Sequence, residues 1–363
     1  MIYRAIGLMS GSSLDGLDIV FTELHENGGK WGYEIIKADC YAYSEDWTKR
    51  LSAATSLSAR DYLLLHTEYG DYLGRQVMRF IEENQLQYKV ALIASHGHTT
   101  FHIPAKKMTA QLGDGAAIAA ITQLPVVTDL RALDLAFGGQ GAPIVPIGEK
   151  LLLPGYDYFL NIGGIANISM NASAYIAFDI CSANRVLNML AQQAGKEYDD
   201  DGQLAAAGSL NEPLLERLNS LEYYRLPYPK SLANEFGIET VYPLIQAAGI
   251  SIPDALNTYC EHIAIQIRDA IAALPNHSSE QSQLLATGGG AHNGFLVSRI
   301  REQLTGLGIQ VIVPGKELVQ YKEALIMALI GVLRWREENN VLSSVTGSKR
   351  DSVGGAMWMG MEG

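Results

Sequence analysis

The sequence predicts an α/β protein built as two related lobes, and three observations carry that expectation. The chain has 363 residues, 48% of them apolar and 18% charged, the balance of a globular chain with a sizeable core. At about 100–200 residues per domain, that length fits two domains. A pattern of short apolar runs around a turn of small residues opens the chain and returns near its middle. The expected lobes are residues 1–145 and 146–363.

In the first lobe, residues 3–9 and 17–24 read as strands joined by a turn of Gly, Ser and Asp, the signature of a hairpin. Residues 33–43, 90–95 and 125–128 are further β-rich runs. Residues 60–84 form a helix, because Leu63, Leu64, Tyr72, Leu73, Val77, Phe80 and Ile81 recur at helical spacing. After Pro143 and Pro146 the pattern repeats. Residues 156–162 form a strand, Gly163 and Gly164 a turn, and residues 165–170 and 174–178 two more strands before a helix from Asn184. Helical patterns at 253–273 and 322–338 alternate with strands at 284–287 and 309–313, and Pro, Asn and Ser mark a surface loop at 275–282.

Composition narrows the partners. With 27 basic and 39 acidic residues the net charge is −12, so a nucleic-acid backbone is repelled over most of the surface. Small anions can still bind where backbone N–H groups and a metal ion supply local positive potential. Cys40, Cys181 and Cys260 are isolated and odd in number, which argues against a disulfide framework or a thiolate zinc site. The opening residues lack the basic and apolar segments of a leader, and no uncharged apolar run approaches spanning length. The expectation is a cytoplasmic protein with neither membrane nor nucleic-acid partners.

The densest local signal is Gly11, Ser12, Ser13, Leu14, Asp15, Gly16, Leu17 and Asp18 between two strands. Such a turn can aim N–H groups and hydroxyls at phosphate oxygens, and Asp15 or Asp18 can orient Mg²⁺ directly or through water. The plain alternative is an ordinary hairpin turn. It is no Walker loop, since the Gly-Lys-Ser/Thr ending is absent. Gly163 and Gly164 stand at the matching place in the second half, and Gly288, Gly289, Gly290 and Asn293 join a strand to a helix. Any one cluster can be close backbone packing. Three of them at strand ends favour phosphate and nucleoside binding.

The stretch from Gly7 to Asp18, the run Ser95-His96-Gly97, Val127 to Arg131 with Gly138 to Pro143, Asn161 to Ser169, and Gly288 to Asn293 together resemble the 1,6-anhydro-N-acetylmuramic acid kinase family. The resemblance implies a two-lobed, actin-like ATPase (ribonuclease H-like) fold with a central nucleotide cleft, use of ATP and Mg²⁺, and a homodimer. It implies a small-molecule sugar substrate whose 1,6-anhydro ring is opened by water while O6 is phosphorylated, giving N-acetylmuramic acid 6-phosphate in cell-wall recycling. Asp179, after a strand, matches the family's base, taking a proton from that water on the face opposite the departing oxygen; its alternative is a helix N-cap before Asn184. His96 and Asn184 are substrate contacts by resemblance, and no metal is expected at His96, His98 and His102. Arg131 either holds a lactyl carboxylate or pairs with Asp129 or Asp134. Glu323, placed near the start of a late helix, contacts ligand or complements the helix dipole. The acidic turn at 198–202 carries mostly solvated charge, and the 357–361 tail is packing.

Two stretches depart from the family pattern. Asp179-Ile-Cys-Ser-Ala-Asn184 lacks the family's Thr and Gly-Pro turn, and Tyr228-Pro-Lys-Ser-Leu-Ala-Asn-Glu235 lacks its arginine. They leave room for a related anhydrosugar or amino sugar as substrate. A non-catalytic, actin-like nucleotide-binding protein is a third reading, which keeps the glycine clusters and does not need Asp179.

Overall fold

The structure, a computed structural model, describes residues 1–11, 14–172, 175–228, 230–233, 235–274 and 281–360. Ser12 and Ser13 of the first turn, Asn234, residues 275–280 of the expected loop and Met361 of the tail lie outside the described residues. The chain divides into two compact units, Met1–Pro154 with Tyr321–Gly363, and Gly155–Gln320.

The first unit holds a seven-stranded sheet. β1 (Ile2–Ser10), β2 (Gly16–Asn27) and β3 (Lys30–Ala42) form an antiparallel meander. β4 (Leu92–Ile103) runs parallel to β1, β5 (Met108–Leu112) folds back on β4, and β6 (Val126–Thr128) lies parallel to β4. Period-two alternation sends Ile6 and Leu8 of β1 to one face, where they share a core with Tyr69, Leu73, Val77 and Phe80 of the helix Ala59–Glu83. Ser58 caps that helix by accepting from the Asp61 N–H. On the opposite face Gly7 lies against the helix Lys316–Trp335, so close that a Cβ there would fall 1.9 Å from Ala324 O.

The second unit repeats the plan. β7 (Tyr158–Ile162), β8 (Ile165–Met170) and β9 (Ile176–Ser182) form an antiparallel meander, while β10 (Ser282–Thr287) and β11 (Ile309–Ile312) add in parallel beside β7. Its core joins Leu160, Ile168, Leu284 and Ala286 to Tyr259, Ile263 and Ile267 of the helix Ile252–Ala272. Both sheets thus order their strands as a meander 3-2-1 followed by two parallel strands. That is the ribonuclease H-like α/β arrangement which the resemblance implies, and the repeat read from sequence is its local signature.

The structure departs from expectation at the end of the chain. β12 (Ala356–Trp358) pairs antiparallel with β6, and the first unit takes in the chain up to Pro154 and again from Tyr321, whereas the reading by halves put all of 146–363 in the second lobe. Three alternating residues are too short a run to read as a strand. The late helix also starts at Lys316, six residues before the expected 322.

Candidate functional site

In the first unit, β1 and β2 present the hairpin end, with Ser10 opposite Leu17 and Met9 opposite Asp18. Leu14 adopts positive φ, 59°, as the chain turns, and the Gly16 N–H donates to Asp15 Oδ1 at 3.0 Å. Gly16 is required by space, because a Cβ would fall 2.7 Å from Cys40 Sγ and 2.9 Å from Tyr41 O. Asp18 is half-buried and pairs across strands with Cys40, whose thiol hydrogen-bonds it. Burial pushes the Asp18 carboxyl up to about 6, the thiol opposes this, and the charges of Asp15 and Glu323 add to it. A cation would relieve that crowding of carboxylates. Mg²⁺ keeps several waters and takes only one or two carboxylates beside substrate phosphates, so Asp15 and Asp18 fit it. Among the described residues, the one group of three possible ligands close enough to share an ion is Glu23, His25 and Glu34, further along β2 and β3.

β4 contributes His96 and His98, both buried. The Arg131 Nε–H donates to His96 Nε2 at 2.9 Å, so Nδ1 carries the imidazole proton and donates it to Gly97 O at 2.8 Å. Burial, then the Arg131 charge, hold His96 down to about 3. Arg131 Nη1 also donates to Gly141 O at 2.7 Å, and among the described residues its Nη2 end donates no hydrogen bond. Burial lowers Arg131 to about 10, and the charge of Glu323 opposes that. Glu323 is in turn raised by burial and lowered by Lys322 and Arg131. Lys322 is itself buried in an ion pair with Glu149 at 2.8 Å. Hence Asp18, Glu323, Arg131 and His96 form one electrostatically coupled group within this unit.

Several plainer readings give way here. Arg131 is bound to His96 and Gly141 O, while Asp134 is buried against the Thr346 hydroxyl and the Gly141 N–H. Glu323 sits in the third turn of its helix, beyond the first turn where the dipole acts. The acidic turn is mostly solvated as expected, with Asp200 and Asp201 exposed and Asp201 accepting from Gly294 N–H; Asp199 alone of its three carboxylates is buried, accepting from the Leu204 and Ala205 N–H groups.

The neutral, buried His96 has a measurable consequence. Its folded pKa lies below the ordinary imidazole value, so the unfolded chain takes up the proton first as pH falls. The associated stability is complete above about pH 6.5 and is lost as pH falls towards about 3, by up to about 1.4 kcal/mol per pH unit. His96→Gln keeps an acceptor for Arg131 and does not titrate. Thermal unfolding of this variant is expected to depend less steeply on pH below 6.5 than that of the parent; equal slopes would remove His96 from this role.

In the second unit, Asp179 stands in the middle of β9, opposite Asn167 of β8, and not at the strand end expected of it. The residue before the helix Asn184–Gln193 is Ala183, with no side-chain cap, so Asp179 is no N-cap. Asp179 Oδ2 accepts the Leu232 N–H at 2.9 Å, its N–H donates to Lys230 O at 3.1 Å, and its carbonyl accepts the Tyr223 hydroxyl at 2.8 Å. Burial raises its carboxyl, against the lowering effect of the Leu232 N–H. No local spacing links Asp179 to Leu232, 53 positions away, so sequence reading missed this strap.

The glycine clusters of this unit converge. Asn184 N–H donates to Gly163 O at 3.0 Å, and its side-chain amide donates to Ile162 O at 3.0 Å. Gly288 adopts φ 82°, and a Cβ on it would fall 2.4 Å from Asn161 Oδ1; one on Gly290 would fall 2.2 Å from Ile162 Cγ2 and 2.9 Å from Asn184 Oδ1. Gly289 is exposed and Gly164 likewise, leaving backbone open on that side. Asn293 is occupied otherwise: its side-chain oxygen caps the helix Gly294–Thr305 by accepting from Leu296 N–H at 2.9 Å.

Residues 3–360 match the family model for anhydro-N-acetylmuramic acid kinase. Proteins of that name similar to this chain include one from Photobacterium profundum, 34% identical, with 84% of each chain covered. Another, from a Sulfurovum species, is 30% identical over 98% of this chain and 99% of its own. A third, from Streptomyces coelicolor, is 32% identical over 99% and 94% respectively. Among solved structures, component A of (R)-2-hydroxyglutaryl-CoA dehydratase from Acidaminococcus fermentans has a TM-score of 0.48 at 15% identity, covering 91% of this chain and 97% of its own.

Proposed function

The chain belongs to the anhydro-N-acetylmuramic acid kinase family, a family of phosphotransferases, and on that premise we propose that it opens the 1,6-anhydro ring of anhydro-N-acetylmuramic acid with water and transfers the γ-phosphoryl group of ATP to O6. The observation that carries this reading is the state of Asp179. Its carboxylate is half-buried, raised by burial, and, among the described residues, fixed through Oδ2 alone by the Leu232 N–H. Oδ1 is then the oxygen that takes a proton from water.

The steps balance as follows. Water loses a proton to Asp179 and forms a bond to C1; the C1–O6 bond breaks, and O6 takes the γ-phosphoryl group as ADP leaves. Phosphoryl transfer chiefly requires positioning and charge neutralisation. The hairpin from Gly11 to Asp18 supplies N–H groups for phosphate, and Asp15 and Asp18 would hold Mg²⁺, which would neutralise phosphate charge. Gly163, Gly164 and Gly288–Gly290 offer close backbone approach to the nucleoside, and Asn184 ties those turns together. Arg131, oriented by neutral His96 and by Gly141 O, keeps its Nη2 end for the lactyl carboxylate, so His96 acts on the sugar through Arg131. Glu323 faces the same group electrostatically. The homodimer and the cytoplasmic setting belong to this proposal; among the described residues, no helix is long and apolar enough to cross a membrane.

A second substrate reading has a specific observation behind it. The two stretches that depart from the family pattern meet at Asp179, where Leu232 N–H binds the carboxylate that precedes Ile180 and Cys181. A related anhydrosugar or amino sugar is therefore the alternative.

Running the reaction in ¹⁸O-labelled water tests the chemistry. Label is expected at C1 of a phosphorylated, ring-opened product, with little ATP hydrolysis in the absence of sugar. Label in inorganic phosphate would mean a plain ATPase, and an intact anhydro ring after phosphorylation would mean an ordinary hydroxyl kinase.

A further inference from the structure

The last residue of β1, Ser10, lies at the root of the phosphate hairpin and is buried. Its hydroxyl meets two tyrosines. Tyr69 OH donates to Ser10 Oγ at 2.9 Å, Ser10 Oγ and Tyr43 OH are 2.8 Å apart, and Tyr43 OH and Tyr69 OH are 2.6 Å apart. With Tyr69 donating to Ser10, the remaining protons complete a closed ring: Ser10 donates to Tyr43 and Tyr43 donates to Tyr69. Every hydroxyl then donates once and accepts once, and such a cycle strengthens each of its bonds. Burial raises both phenols, Tyr43 to about 12, so both stay protonated at neutral pH.

The ring draws on separate parts of the first unit. Tyr43 follows β3, Tyr69 comes from the helix Ala59–Glu83, and Ser10 ends β1. β4 joins through His98, whose Nδ1 lies 3.4 Å from Ser10 Oγ and which also hydrogen-bonds the Gly11 backbone. A register shift between Leu8 and Ser10 brings Ser10 opposite His98. Stacking supports the tyrosines, since Tyr69 lies parallel to Tyr72 at 5.8 Å and Trp47 packs on both. Two consecutive residues, Ser10 and Gly11, are thus fixed where the chain leaves the sheet for the turn. None of these side chains points to chemistry from sequence, because the three hydroxyls are 33, 26 and 59 positions apart.

We propose that Tyr43, Tyr69 and His98 are positioning residues for the nucleotide: they hold Ser10 and Gly11, where the chain enters the phosphate hairpin, in place before ATP arrives. The inference rests on the reading of that hairpin as the phosphate site. Preorganisation of this kind lowers the cost of ordering a loop on binding, so its loss appears in affinity. Removing one hydroxyl opens the ring and leaves a buried partner unmatched.

The test uses Tyr69→Phe and Tyr43→Phe in the full chain, with the affinity for a non-hydrolysable ATP analogue measured by calorimetry and turnover measured at saturating sugar. Each variant is expected to bind the analogue about tenfold more weakly and to raise KM for ATP similarly, with kcat within about twofold of the parent. Unchanged affinity in both variants, or a fall in kcat at constant KM, overturns the proposal. A thermal melt accompanies each measurement. If Tyr69→Phe does not fold, the half-buried Tyr43 decides the matter. Gly11→Val run alongside separates the two levels: if it weakens the analogue while the tyrosine variants do not, only the positioning role fails, and if it leaves affinity unchanged, the phosphate site itself lies elsewhere.

Discussion

Asp179→Asn is expected to lower sugar-dependent turnover by about 10²–10⁴-fold or more while ATP binding persists. The amide has the size of the carboxylate, and its oxygen can still accept the Leu232 N–H, so the strap formed by Lys230 and Leu232 stays in place. It cannot accept a proton from water. The direction of the Asp179 shift adds a pH signature. Burial raises the carboxyl, so the rising limb of kcat/KM for the parent lies at higher pH than a solvent-exposed aspartate would give. Product formation with the anhydrosugar, together with calorimetry of nucleotide binding, checks both halves. Turnover within a few-fold of the parent would take the role of base from Asp179.

The largest expected effect on stability is at Gly7, where added volume meets backbone. A Cβ would fall 1.9 Å from Ala324 O and 2.8 Å from Ala328 N, and neither atom can rotate away as a side chain would. Gly7→Ala must push the helix Lys316–Trp335 off β1, or bend β1 away from its neighbours β2 and β4. Overpacking costs about 1–3 kcal/mol where flexible side chains absorb it, and more is expected against two backbones. Because Glu323 adjoins Ala324, the surviving protein should also lose activity. Thermal unfolding and soluble yield measure this. A melting temperature equal to that of the parent would mean that the helix is not seated on β1 at this point.

Most of the architecture was legible because it is periodic. Ile6 and Leu8 alternate with Gly7 as a strand must, and Leu73, Val77, Phe80 and Ile81 recur at the spacing that buries one helix face. The glycine clusters were legible because glycine marks places where Cβ has no room, as the contacts at Gly16, Gly288 and Gly290 bear out. What escaped was long-range. β12 is three residues long and gains its identity only from β6, and Leu232 reaches Asp179 through a backbone N–H, which no residue type announces. His96 and Arg131 could be picked out singly but not as a pair, since the hydrogen bond that sets the imidazole tautomer spans 35 positions. Polar residues beside glycine turns also take on local duties that spacing does not announce: the side-chain oxygens of Asn293 and Asp199 accept from N–H groups at helix N-termini.

The discontinuous first unit bears on how the polypeptide is made. Residues 155–320 leave the ribosome as one uninterrupted stretch, and all five strands of their sheet are available before the last helix is translated. The first sheet is begun earlier and finished later. Until Ala356–Trp358 emerges, β6 keeps an unpaired backbone edge, and until residues 321–335 emerge, Gly7 and Ala94 lack the helix that covers them. Nascent chains therefore carry an open β-edge and an uncovered sheet face through the synthesis of the whole second unit, the state in which strand edges capture one another. Stalled translation in this interval is expected to favour aggregation, and a chaperone that shields sheet edges would act on the half made first.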